Sequence, residues 1–198
     1  MSNQLLGNQP RGLISIISAP AGAGKTTLVQ MLSKEFPAIV RSVSSTTRAP
    51  RPTEQEGKDY FFLTPENFEA KIKRGEFLEH AKVFSDYYGT SIEDVKALQA
   101  QGKHVVLVID TQGALQLKNR LKDAIFIFIS PPSLKELEKR LHNRKTEPPH
   151  LIEERLAWAA RELELVHHYD YNVINDHLET AYTVLKSIFI AEEHKVRR

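Results

Sequence analysis

The feature that most constrains this chain is a short apolar run, Leu13 to Ser18, that stops at Ala19-Pro20-Ala21-Gly22-Ala23-Gly24-Lys25-Thr26. Beyond it Leu28, Val29, Leu32 and Phe36 recur at helical spacing. Such a run, broken by glycines and resumed with a 3.6-residue period, predicts a strand, a tight turn and a helix. Two more strand-sized apolar runs, Val105 to Asp110 and Ala124 to Ile129, each follow a stretch with helical patterning, the second of them Thr111 to Leu121. Strands alternating with helices predict parallel crossovers, hence an α/β fold with a central sheet covered by helices on both faces.

The turn itself carries chemistry. It is close to the pattern G-x-x-x-x-G-K-[ST], with Ala19 in place of the first glycine, and it stands after a strand and before a helix, as that pattern requires. Glycines let successive backbone N–H groups face inward at a helix N-terminus, which makes a nest for phosphate oxygens. Ala19, Pro20, Ala21, Gly22, Ala23, Gly24, Lys25, Thr26 and Thr27 are therefore the candidate nucleoside triphosphate-binding residues. Lys25 would reach the β- and γ-phosphates, and the Thr26 hydroxyl would ligate Mg²⁺. A glycine-rich turn that merely caps a helix is the plainer alternative, and motif and context together favour the P-loop NTPase fold.

Composition narrows the remaining classes. With 198 residues the chain suits one domain with insertions. Its 27 Lys and Arg against 25 Asp and Glu leave a formal charge of +2, which offers no global handle for nucleic acid. The lack of cysteine excludes disulfides, thiolate zinc sites and a cysteine nucleophile. The polar start Met1 to Pro10 does not read as a secretory signal, and no apolar run approaches the ~20 residues of a membrane span. These features predict a cytoplasmic protein with no membrane or nucleic-acid partner.

The stretch Ser42 to Tyr88 is built differently, rich in hydroxyls and arginines and then in short mixed runs, with Thr64-Pro65-Glu66 opening a brief helix. It reads as an α+β insertion over 42–94. Arg48 and Arg51, restrained by Pro50, form two guanidinium forks suited to a phosphate dianion. From Ser133 to His167 the pattern turns helical and basic, interrupted by Pro148-Pro149, and predicts a helix, a mobile loop and a helix, set apart from the core over 136–159. The remaining 1–41, 95–135 and 160–198 would form the core. Tyr171 to Asn175 reads as a last strand and Leu178 to Ala191 as a closing helix. His167 and His168 lack metal-ligand spacing and read as surface residues.

Taken singly, the arginines could solvate a surface and the tyrosines pack a core. Taken in order, the runs SVSSTTRAPR from Ser42, Glu54, GKDYFF from Gly57, FLEH from Phe77, YYGT from Tyr87 and IDTQG from Ile109 resemble the guanylate kinase family. The resemblance continues through RLHNRKTE at Arg140 to Glu147 and VINDHLETAY at Val173 to Tyr182, so it spans nearly the whole chain. It implies an ATP:GMP phosphotransferase. Arg48, Arg51, Tyr60 and Tyr88 would clamp the GMP phosphate, and Ser44, Glu79, Thr90 and Asp110 would read guanine, with Glu54 beside them. Guanine presents N1–H and N2–H₂ as adjacent donors that an ionised Glu79 accepts together; adenine offers a bare N1 lone pair, and such a mismatch can cost about 10⁴-fold in selection. The resemblance also assigns Arg144 and Arg155, with Arg140 a third candidate, to a lid that closes over the triphosphate, where with Lys25 and Arg48 they would serve catalysis by stabilising the transferring phosphoryl group. Asn175 falls near the donor adenine in that scheme.

Two departures stand out. Val108 occupies a position where the family usually has an acidic residue, which leaves Asp110, Thr26 and substrate oxygens to hold the metal. Lys145 stands where the lid often has glycine, next to Pro148-Pro149. A catalytically silent guanylate-kinase-like module that binds phosphopeptides is the competing reading; the retained Lys25, Thr26 and lid arginines weigh against it. A P-loop ATPase acting on nucleic acid lacks a basic excess and gives no reason for the paired tyrosines. The sequence leaves dGMP open as an acceptor beside GMP, and the chain open as a monomer or homodimer.

Overall fold

The computed structural model describes residues 5–83, 85–143 and 149–196; the side chains of residues 149 and 150 are outside the description, as is Arg144, one of the candidate lid arginines. Strand β1 (Ile14–Ser18) leads through the glycine-rich turn into α1 (Lys25–Glu35). Then come β2 (Ile39–Arg41), β3 (Ser44–Thr46), β4 (Tyr60–Phe62), α2 (Pro65–Lys73), β5 (Phe77–Val83), β6 (Asp86–Ser91) and α3 (Ile92–Ala100). The second half holds β7 (His104–Val108), α4 (Thr111–Lys118), β8 (Ile125–Ser130), α5 (Leu134–Asn143), α6 (Pro149–Glu164), a 3₁₀ turn over Leu165–His168, β9 (Tyr171–Ile174) and α7 (Leu178–Glu193).

Five strands form one parallel sheet in the order β2-β7-β1-β8-β9. Its middle strands are apolar nearly throughout because both faces are covered, and two buried clusters result. Ile17, Ile127 and Ile129 pack with Leu28, Leu32, Leu185 and Phe189 on one side. Ile16, Leu107 and Phe126 pack with Val95, Ala114 and Leu117 on the other. The crossover after β1 travels to β2 and the crossover after β7 travels the opposite way to β8, so adjacent strands β1 and β7 send their following loops apart. A crevice opens at the carboxyl ends of two such strands, the place where open α/β sheets bind ligands. The glycine-rich turn and Asp110 both lie there.

The second sheet, β4-β3-β6-β5, is mixed: β3 pairs β4 in parallel, while β6 runs antiparallel to both β3 and β5. Phe68 of α2 is fully buried against Phe77 and Tyr87, which fixes the helix to this sheet. The Thr64 side chain accepts from the N–H of Asn67, and Pro65 opens the helix, as the sequence predicts. Arg41 ties the two sheets together, donating from β2 to the carbonyls of Lys58 and Asp59 at 2.7 and 3.3 Å. Helices α3 and α6 run unbroken across positions 94/95 and 159/160, so those two expected boundaries fall inside helices. Among the described residues no helix is long and apolar enough to cross a membrane.

Candidate active site

Two clefts meet at the carboxyl ends of β1 and β7. One, of about 520 Å³, is lined by Ser44, Arg48, Arg51, Tyr60, Glu79 and Tyr88 from the second sheet and its loops. The other, of about 270 Å³, is lined by Ala19, Pro20, Ala21, Gly22, Gly24, Lys25, Thr26 and Thr27. Lys25, Arg51, Asp110 and Arg155 line both. Residues far apart in sequence are thus gathered around one junction.

The smaller cleft is a backbone device. Gly24 takes a φ of 91° at the start of α1, and a Cβ there would come within 2.2 Å of the Asn175 amide nitrogen. That amide donates to the Ala23 carbonyl at 2.8 Å in a buried bond, so Asn175 braces the turn from the far end of β9. Arg140 does similar work nearby, donating to the carbonyls of Asn175 and Asp176 at 2.9 and 3.4 Å. Lys25 Nζ donates to the Ala19 carbonyl at 3.4 Å. Burial pulls the Lys25 ammonium below its ordinary pKa, and the charges of Glu162 and then Asp110 partly pull it back. Among the described residues, sequence reading missed Glu162: nothing in the spacing of a charged helix says which of its acids will be buried, and only its 5% exposure in the fold marks it. Burial pushes its carboxyl up to about 7, with Lys25 opposing and Asp110 adding to the shift.

Asp110 caps α4 by accepting from the Gly113 N–H at 2.7 Å through Oδ1, while Oδ2 is buried without a hydrogen-bond partner among the described residues. Burial raises its pKa, restrained by that N–H and by Lys25. An unpartnered carboxylate oxygen and the exposed Thr26 hydroxyl, on one cleft, are hard oxygen donors that fit Mg²⁺, which takes one or two carboxylates and completes its shell with phosphates and water. Val108 adds no charge; it lines the larger cleft as an aliphatic wall.

The larger cleft is held by side chains. Glu79 on β5 faces Thr90 on β6 in register, and the Thr90 hydroxyl donates to Glu79 Oε1 at 2.6 Å. Only 3% of Glu79 is exposed, and burial pushes its carboxyl up to about 7, with Thr90 opposing and Asp110 adding. Its other oxygen lies against α4, where a Cβ on Gly113 would sit 2.4 Å from Oε2. Glycine at 113 is what lets the carboxylate occupy that place. Arg48 stacks over the Tyr60 ring at 5.5 Å, and Tyr60 meets Tyr88 edge to face at 6.0 Å. Glu54, expected among the substrate-binding residues, directs both oxygens to Arg48 Nη2 at 2.8 and 2.9 Å and accepts from the Arg51 N–H at 2.8 Å. Burial pulls the Glu54 carboxyl upward, but the bonds from Arg51 and Arg48 outweigh it and keep it below its ordinary value.

The glycine-rich turn, two arginines, two tyrosines and a buried carboxyl group thus line adjoining clefts. The guanylate kinase pattern matches residues 11–192. This chain belongs to the guanylate kinase family. It is 56% identical to the guanylate kinase of Protochlamydia amoebophila (strain UWE25) over 192 residues, covering 97% of both chains. It is 50% identical to that of Chlamydia trachomatis serovar D over 182 residues, covering 91% of this chain and 88% of the relative. Among solved structures, the guanylate kinase from Anaplasma phagocytophilum superposes with a TM-score of 0.79 at 35% identity, covering 94% of this chain and 88% of the other. The guanylate kinase fold is therefore the frame in which both clefts stand.

Proposed function

We propose that this chain transfers the γ-phosphoryl group of ATP to GMP, giving ADP and GDP. The observation that carries this reading is the buried Glu79 carboxylate in the same cleft as Arg48, Arg51, Tyr60 and Tyr88, joined through Lys25 to the phosphate loop. GMP would place its base edge at Glu79, with Ser44, Thr90 and Asp110 around it, and its phosphate between the two arginines and two tyrosines. Glu54 acts behind them, as the acid that aims Arg48. The proposed division has a core over 1–41, 95–135 and 160–198, an acceptor insertion over 42–94 and a lid over 136–159.

In the reaction a GMP phosphate oxygen attacks the γ-phosphorus. The new P–O bond forms as the bond to the β-phosphate oxygen breaks, and ADP leaves with that electron pair. Charge spreads over the equatorial oxygens of the moving group, where Lys25 and Arg155 stand on the shared wall of both clefts and Arg48 steadies the acceptor. No covalent enzyme intermediate is required. Thr26 and Asp110 would hold Mg²⁺, which when bound neutralises charge on the donor phosphates. The arm carrying Arg155 keeps water from the acceptor's place.

The test is turnover of GMP, AMP, CMP and UMP at equal concentration with ATP. GMP is expected to lead AMP by about 10⁴-fold in kcat/KM, the scale of a mismatch at a site built to hydrogen-bond its substrate. Equal turnover of AMP removes Glu79 from the role of base reader. A chain that binds no ATP at all would point to the silent phosphopeptide module.

A further inference from the structure

Strand β5 carries Glu79 and stands at the edge of its sheet, so one side of its main chain has no neighbouring strand. Such an edge presents a row of N–H and C=O groups, those of every second residue, that the sheet leaves unpaired. Here α4 supplies the partners. Gln112, Gln116 and Arg120 stand four residues apart, on one face of α4 and of the turn that follows it. Gln116 Nε2 donates to the His80 carbonyl at 2.8 Å, and its Oε1 accepts from the His80 N–H at 3.5 Å. One side-chain amide thus answers both groups of one strand residue, as a paired strand would. Arg120 Nη1 donates to the Leu78 carbonyl at 2.7 Å, and Gln112 Nε2 reaches the Lys82 carbonyl at 3.5 Å. The two short bonds fall on the residues either side of Glu79.

We propose that Gln116 and Arg120 are positioning residues for base recognition: they fix the β5 main chain on both sides of Glu79, so that its carboxylate meets guanine's N1–H and N2–H₂ together. The inference rests on the phosphotransferase reading above. Helix α4 also bounds the carboxyl itself, since a Cβ on Gly113 would meet Oε2 at 2.4 Å. Main chain and side chain of Glu79 are thus both set from one helix. That helix begins beside Asp110 at the crevice, so a base reader mounted on the second sheet takes its place from the first. Accepting two hydrogen bonds at once demands such support, because a displacement that one bond tolerates breaks the other.

The experiment compares GMP with inosine monophosphate, whose base has the N1–H but no 2-amino group, as acceptors with ATP. In the wild type GMP is expected to lead in kcat/KM by about 100-fold, the scale of one hydrogen bond to a buried charge. With Gln116→Met and Arg120→Met combined, the lead shrinks to about tenfold through a higher KM for GMP, while kcat and the ATP affinity read by calorimetry stay within about twofold of wild type. Arg120→Met alone shrinks the lead about threefold, and Arg120→Lys, which keeps a donor for the Leu78 carbonyl, restores it. Lys118→Met is the control: it removes the 2.7 Å bond to Asp170 from the same helix and leaves the lead within about twofold of wild type. A plain cover for the strand edge would lower the melting temperature and raise both KM values alike, and an unchanged lead in the combined variant overturns the proposal. An equal loss in Lys118→Met overturns it too. Should the combined variant fail to fold, Arg120→Met against Arg120→Lys supplies the same readout. A wild-type chain that leaves GMP untouched would sink the functional reading and this inference with it, whereas a wild-type lead that survives both substitutions sinks the inference alone.

Discussion

The acceptor and donor sides of the crevice are built on opposite plans. On the acceptor side each charged group has a fixed neighbour before any ligand enters: Glu79 has Thr90, and Arg48 has Glu54 and the Tyr60 ring. On the donor side the geometry is set by backbone: the Lys25 ammonium rests on the Ala19 carbonyl, with Asp110 and Glu162 lining the same cleft. Fixed pairs suit discrimination, because a wrong base finds a carboxylate that does not turn away. An ammonium resting on one carbonyl suits a site whose ligand arrives carrying several negative charges of its own and must be released after each turnover.

The sharpest way to break this contrast is Lys25→Met. Turnover is expected to fall by about 10⁴-fold with GMP affinity held within about twofold, measured by steady-state kinetics and by GMP calorimetry. Loss of GMP binding in that variant would show that the two sides are one unit. Gly113→Ala tests the acceptor plan: its Cβ would meet Glu79 Oε2 at 2.4 Å, so the carboxylate must shift, and the KM for GMP should rise about tenfold while ATP affinity is unchanged.

A smaller effect follows from the Glu79 carboxyl, pushed up to about 7 by burial. Guanine's two donors need the ionised form, so below that value binding must first expel a proton, and the KM for GMP should rise about fivefold between pH 7 and pH 6. The same group makes the empty fold less stable as pH rises from about 4.5 to about 7, because the folded state holds the proton more tightly than the unfolded one. Glu79→Gln should therefore raise the melting temperature by a few degrees at pH 8 while losing selection for guanine, and a drop in melting temperature would show that the ionised acid is well solvated in place.

Much of this was legible in the sequence because it depends on local pattern. The strand, turn and helix around Lys25, the brief helix opened by Pro65 and the closing α7 all follow from spacing and breakers within a dozen residues. Glu79 and Thr90 could be paired with guanine from the family runs, but their pairing with each other depends on the register of β5 against β6. Glu54 shows the limit from the other side: its place in the run marks it for the acceptor site, yet whether it faces the ligand or the arginine behind it is decided by how the loop 49–54 folds back. Glu162 was hidden for a related reason. A helix rich in charge looks solvated along its whole length until a neighbouring element covers part of it.

The Asn175 side chain fastens the turn at Ala23 across 152 positions of chain. Synthesis delivers the glycine-rich turn long before its fastener, so the growing polypeptide completes that turn only after β9 has emerged. One amide thus makes the shape of an early turn depend on a late strand.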